Sequence, residues 1–283
     1  MRIVSLVPSA TELLFALGLG EGVVAVTHEC DHPAAARERA RITRSVVPAG
    51  LPSAEIDREV RARTARGEAL YTLDAERLEE LAPDLIVTQG VCAVCAVSYD
   101  DVVAIASRLP GGPAVLSLDP TTLGDVLDDA RRLARAAGDE AAGDALVRDA
   151  EARLRRVREL VAGAARPRVA ALEWLAPPFV GGHWVPEMIE LAGGEDVLGR
   201  AAESSRTVTW DEVAAGRPEV VVVMPCGFDA NGARHEADAH RADLAALGAR
   251  AIHPVDASSY FSRPGPRLVE GVELLARLLH GVE

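Results

Sequence analysis

The 283-residue chain contains no lysine; its thirty basic residues are all arginine. That absence excludes a phosphate-binding loop built on Lys and any Schiff-base chemistry. Aromatics are scarce, with three Trp, three Tyr and four Phe, and there are four Cys. No apolar run approaches the ~18 residues that a membrane-spanning helix needs. Positive charge is in deficit: the net charge of −13 argues against a nucleic-acid binder, which presents a basic face. The motifs G-x-S-x-G, H-E-x-x-H and G-x-G-x-x-G do not occur. No catalytic set is apparent, and no enzymatic activity is expected. The start, MRIVSLVPSATE, shows neither a charged leader nor an apolar segment before a cleavage site. A cytoplasmic location is therefore expected, unless a leader has been removed, in which case the location is periplasmic or extracellular. In the cytoplasm the cysteines are expected to be reduced thiols.

What is present is a 49% hydrophobic composition, enough for a substantial core. The longest single element is predicted over 139–163, where Ala, Leu, Arg and Glu dominate and Pro is absent. Apolar residues recur there at Ala142, Ala145, Leu146, Ala150, Leu154, Val157, Leu160 and Val161, the period of an amphipathic helix. At ~1.5 Å per residue this is a rod of about 37 Å. On either side, short β-branched runs alternate with helical segments. Strands are expected over 2–7, 23–27, 85–88, 114–118 and 168–172. Ser9 with Glu12 fits a capping box for a helix over 10–17. Two passages repeat in outline: 73–89 resembles 208–224, and 9–26 resembles 185–199. The prediction is an α/β protein, with a lobe over 1–138, a linking helix over 139–165 and a second lobe over 166–283, each with a parallel sheet.

Parallel sheets present ligands at the carboxyl ends of their strands. The segments expected there include Pro8 and Ser9, His28-Glu29-Cys30, Gln89 to Cys95, Glu173 to Trp184, Cys226, and Ser258 to Arg263. Two lobes facing each other would form a cleft suited to a small molecule. Five aromatics fall in two of these segments: Trp174, Phe179, Trp184, Tyr260 and Phe261. They read either as flat walls for a large planar ligand or as packing. Gly181 and Gly182 are expected to offer open N–H groups, and Arg263 to meet an anionic edge of the ligand.

Cys30, Cys92, Cys95 and Cys226, with His28 and His183 nearby, admit three readings: a site for zinc or another transition metal, a redox pair, or small buried thiols. The run RHEADAH (234–240) reads as solvated surface, because its histidines do not share a helix face.

The passages IVSLVPSATELLFALG, LEELAPDLIVTQ, FVGGHWVPEMIELAGG and DEVAAGRPEVVVV, together with the mid-chain rod, resemble the class III substrate-binding proteins of ABC importers, the ferric-siderophore and cobalamin type. THECDHP, TQGVCAVCAVS and YFSRPGPRLVEG narrow the resemblance to the cobalamin-binding-protein-like subgroup. The resemblance implies two α/β lobes joined by one helix and a role in binding a cobalamin-like corrinoid or other metal chelate. It also implies a possible ABC permease partner, docked through an acidic residue on each lobe, here Glu76 and Glu212. The ligand contacts expected from the strand-end segments are Pro8, Ser9, His28, Glu29, Gln89, Trp174, Gly182, His183, Trp184, Tyr260 and Arg263. The competing expectation is a cytosolic metal-binding or thiol-redox protein that uses the four cysteines.

Overall fold

The computed structural model describes residues 1–48, 50–90 and 97–282. The chain divides into two compact units, one comprising 1–120 and 127–147, the other 121–126 and 148–283.

In chain order the first unit contains β1 (Ile3–Ser5), α1 (Pro8–Ala16), β2 (Val23–Val26), β3 (Ala40–Arg41), β4 (Thr43–Ser45), α2 (Ser53–Ala65) and β5 (Tyr71–Leu73). It continues with α3 (Ala75–Leu81), β6 (Leu85–Thr88), α4 (Tyr99–Ala106), β7 (Ala114–Ser117), most of α5 (Leu123–Ala136) and the first turns of α6 (Glu140–Leu160). Five strands form a wholly parallel sheet in the order β3-β2-β1-β6-β7. Side chains alternate across it. Ile3, Leu85 and Val87 join α1 and α5 on one face, while Val4 and Ile86 join α3 and α4 on the other. Burial on both faces explains why these strands read as unbroken apolar runs. β4 and β5 form a separate antiparallel pair.

α1 differs from its expected form. It begins at Pro8, capped by Val7 without a side-chain hydrogen bond, so the Ser9–Glu12 box does not form. Proline at the first helical position needs no N–H partner and has its φ preset for the helix. Ser9 and Glu12 lie inside the helix and are buried.

The second unit contains β8 (Arg168–Leu175), β9 (Pro178–Val180), α7 (Val185–Leu191), β10 (Glu195–Asp196), β11 (Arg206–Thr207), α8 (Trp210–Ala215) and β12 (Val220–Val223). α9 (Ala230–Ala239), α10 (Arg241–Ala246), β13 (Ala251–Pro254), α11 (Ala257–Tyr260) and α12 (Leu268–His280) follow. Its sheet runs β11-β9-β8-β12-β13, with β10 also paired to β8. β8, β10, β12 and β13 are parallel, but β9 folds back antiparallel on β8 and carries β11. The sheet is therefore mixed, where an all-parallel one was expected. The eight-residue β8 is long enough to form parallel pairs over its first half and a hairpin over its second.

α6 is continuous through Arg153 and spans both units. Within the first unit it crosses α5 closely: a Cβ added to Gly143 would lie 2.6 Å from the Ala134 Cβ. Within the second unit, Leu154 and Val157 are buried, and Arg153 makes a two-pronged ion pair with Glu273 of α12, at 2.8 and 2.7 Å. No helix among the described residues is long and apolar enough to cross a membrane.

Candidate functional site

In the first unit, chain connectivity reverses between β1 and β6, the central strands of the sheet. Ligands of open α/β sheets bind at such a reversal, outside the carboxyl ends of the strands. Pro8 and Ser9 follow β1 there, and Gln89 follows β6; all three are buried. His28 and Glu29 follow β2. Together with Pro8, Thr43 and Tyr71 they line a small recess with room for about one water molecule.

His28 is held from two directions. Its Nδ1 lies 2.8 Å from Thr43 Oγ1, which also accepts the His28 backbone N–H at 3.1 Å. Its Nε2 is buried, makes no hydrogen bond among the described residues, and lies 4.0 Å from Glu29 Oε1. Burial lowers the His28 pKa, Glu29 opposes that shift, and Arg41 adds to it. Arg41 also donates to the carbonyl of His28.

In the second unit the corresponding strand ends are those of β8 and β12. Pairing of β8 with β9 steps from Leu172↔Val180 to Trp174↔Phe179, which leaves Glu173 as the extra residue of a β-bulge. The Ser205 hydroxyl donates to Glu173 Oε2 at 2.5 Å, and the Gly182 N–H faces the same carboxylate. Burial, opposed by these two donors and reinforced by nearby Asp196, pushes the Glu173 pKa up to about 7. Trp174 meets the edge of Phe228, with ring centroids 5.7 Å apart, and its indole nitrogen has no acceptor among the described residues. His183 sits at φ +51°, is half-buried, and has its pKa lowered by burial.

The expected aromatic wall divides in two. Trp184 and Phe261 are buried, and the Trp184 indole N–H donates to the Phe261 carbonyl at 2.8 Å. This pair fastens the Gly181–Trp184 turn to the end of α11. Trp174, Phe179, Tyr260 and Arg263 are partly exposed. The glycine N–H groups are not open, contrary to expectation. Gly181 donates to the Ala171 carbonyl at 3.0 Å, and Gly182 is buried with its N–H facing the Glu173 carboxylate. Gly182 instead permits close packing: a Cβ there would lie 2.5 Å from Glu203 O and Ser205 N.

The expected cysteine–metal centre finds no support. Cys30 is buried in the core of the first unit, with its sulfur 3.1 Å from Thr11 Oγ1 and 3.2 Å from Thr27 Oγ1. Cys226 is exposed in the second unit. Cys92 and Cys95 lie outside the described residues. Among the described residues, no group of three or more His, Cys, Asp or Glu is placed to hold a metal ion. In RHEADAH, Glu236 is buried and His240 packs on Trp210, so that run is only partly solvated surface.

Both proposed docking carboxylates are exposed in first helical turns. Glu76 follows Asp74, the residue that caps α3. Glu212 accepts both the N–H and the hydroxyl of Thr209, completing the capping box of α8, and these bonds lower its pKa. Sequence reasoning placed Glu173 in a strand-end segment but gave it no role. Its signal is an acidic residue between apolar β8 neighbours, but a bulge is not visible in a single strand's pattern.

Residues 3–246 match the periplasmic binding protein family. The chain belongs to that family. It is 25% identical to a vitamin B12-binding protein of Vibrio cholerae serotype O1 over 281 residues, 98% of this chain and 88% of the relative. It is 22% identical to one from Vibrio vulnificus over its full length and 91% of that protein. The solved periplasmic vitamin B12 binding protein BtuF of Vibrio cholerae superposes with a TM-score of 0.71 at 23% identity, covering 98% of this chain and 96% of the other. The periplasmic heme binding protein HutB of Vibrio cholerae superposes with a TM-score of 0.73 at 17% identity, covering 99% of each. The two-lobed α/β fold expected from sequence is thus the fold of these periplasmic binding proteins. Their location overturns the cytoplasmic expectation. That expectation rested on the composition of the first residues alone, which does not fix where a family member works. The alternative of a cytosolic metal-binding or thiol-redox protein is not favoured by these relatives.

Proposed function

We propose that this periplasmic binding protein captures a cobalamin-like corrinoid as its transported ligand and passes it to an ABC permease, without catalysing a reaction on it. The observation that carries this reading is the end-to-end match to the Vibrio cholerae vitamin B12-binding protein. The geometry is compatible with it lobe by lobe. In the first unit, Pro8, Ser9 and Gln89 sit at the strand reversal, and His28 and Glu29 border the recess beside it. In the second unit, the partly exposed faces of Trp174 and Tyr260 are suited to an apolar macrocycle, and Arg263 to an anionic substituent. Gly182 and His183 contribute the turn beside them. Trp184 supports that turn from within. Glu76 and Glu212 are the proposed permease contacts.

The test is titration of cyanocobalamin while tryptophan fluorescence is followed, corrected for inner-filter absorption. Saturable quenching at one equivalent is expected, and Trp174→Ala should weaken binding by about 1–3 kcal/mol, the cost of losing an aromatic anchor. Equal binding of hemin, or none of cyanocobalamin at ~100 μM, well above the micromolar range of a specific site, would reject the corrinoid assignment.

A further inference from the structure

The bulge at Glu173 has a consequence for the turn that follows β9. The Glu173 backbone carbonyl accepts the Cys226 N–H at 3.0 Å, fixing the strand, while its side chain reaches two other segments. One is the Gly181–Trp184 turn, whose Gly182 N–H faces the carboxylate; the other is the 196–205 stretch, bonded through the Ser205 hydroxyl. These two segments are already stitched together. His183 N–H donates to Glu203 O at 2.6 Å, and Ala202 N–H donates to His183 O at 3.0 Å. His183 occupies the left-handed region, which a residue with a Cβ adopts only when its surroundings impose it. A carboxylate that fixes Ser205 within this junction is such an imposing contact.

We propose that Glu173 is a positioning residue: by accepting the Ser205 O–H, its carboxylate anchors the 202–205 stretch that is bonded to the Gly182–His183 turn and so sets that turn in its ligand-receiving geometry, so that affinity depends on its charge. This rests on the preceding reading, in which that turn contacts the ligand. The carboxylate changes charge near pH 7, because burial raises its pKa against the pull of its two donors. Asp196 is the titratable group whose charge acts on it, itself shifted upward by burial and bonded to the N–H groups of Leu198 and Gly199. On the facing segments, Glu203 pairs with Arg200 and Arg206 lies 3.6 Å from Glu212, while the His183 pKa is shifted downward by burial. A protonated Glu173 loses one of its acceptor positions and loosens the junction, so affinity falls as pH drops.

The experiment combines nuclear magnetic resonance of ¹⁵N-labelled protein without ligand and cyanocobalamin binding, both from about pH 5.5 to about pH 8.5, the range in which a functionally tuned carboxylate titrates. The Gly182 amide should titrate with a midpoint near 7, lose that transition in Glu173→Gln, and show a raised midpoint in Ser205→Ala, which removes one donor to the ionised form. Cyanocobalamin affinity should fall about fivefold or more between the upper and lower ends of the range in the wild type and stay flat in Glu173→Gln. A Gly182 amide without a transition, or with the same transition in Glu173→Gln, overturns the positioning role. A pH profile of affinity shared by wild type and Glu173→Gln overturns the coupling. Absence of cyanocobalamin binding at every pH defeats the ligand assignment and the affinity half of this proposal together, whereas the amide titration decides the positioning half on its own.

Discussion

A carboxyl group whose pKa rises on folding destabilises the native state wherever it is ionised. Glu173 moves from an ordinary 4.5 to about 7. Below pH 4.5 it is protonated in both folded and unfolded chains and carries no penalty. As pH rises from 4.5 to about 7 the unfolded chain releases the proton first, and stability falls. Above 7 the full penalty is present, at most about 3 kcal/mol from the size of the shift. Glu173→Gln should therefore raise thermal stability at pH 8 by about 1–3 kcal/mol and leave it nearly unchanged at pH 4, as read from denaturant melts. Equal effects at both pH values would show that Glu173 is ionised without strain. Glu212 and Glu76 present a second contrast. Only Glu212 closes a capping box, so Glu212→Ala should lower the melting temperature and Glu76→Ala should not. If both variants melt like wild type but lose permease-stimulated transport, docking is the main role of each.

Among the elements, α6 was the most legible. Its 3.6-residue period identified Leu154 and Val157 as inward-facing, and both are buried. Leu154→Asp or Val157→Asp should lower stability by about 3 kcal/mol or more, since a charge would be buried without a partner; an unchanged urea midpoint would show that this face is solvated. Strands with both faces buried were equally legible, because unbroken Val and Ile runs between helices have few other readings. What escaped were the pieces set by pairing rather than by local pattern. β9, β10 and β11 have two or three residues each, too short for any period to declare itself. The return of β9 on β8 depends on a turn between strands that share a sheet only after folding. The Ser9–Glu12 box failed for a local reason, because Pro8 already suited the first helical position. The two tryptophans of the Glu173–Trp184 segment looked alike in sequence, yet one is partly exposed and the other gives its N–H to Phe261. Burial of a particular aromatic is a tertiary fact.

For the whole molecule, the account rests on recognition of a bulky ligand by strand-end loops that are largely fixed before it arrives. The second unit's turn is held by the Glu173 carboxylate, the Trp184–Phe261 bond and the His183–Glu203 bond. Pre-fixed loops lose little free energy to ordering on binding. The most direct measurement is calorimetric titration of the purified protein with cyanocobalamin at pH 8. The prediction is one site per chain, a Kd of about 1 μM or tighter and a negative heat-capacity change from burial of apolar surface. Absence of heat across several temperatures, with no quenching of tryptophan fluorescence, would contradict it.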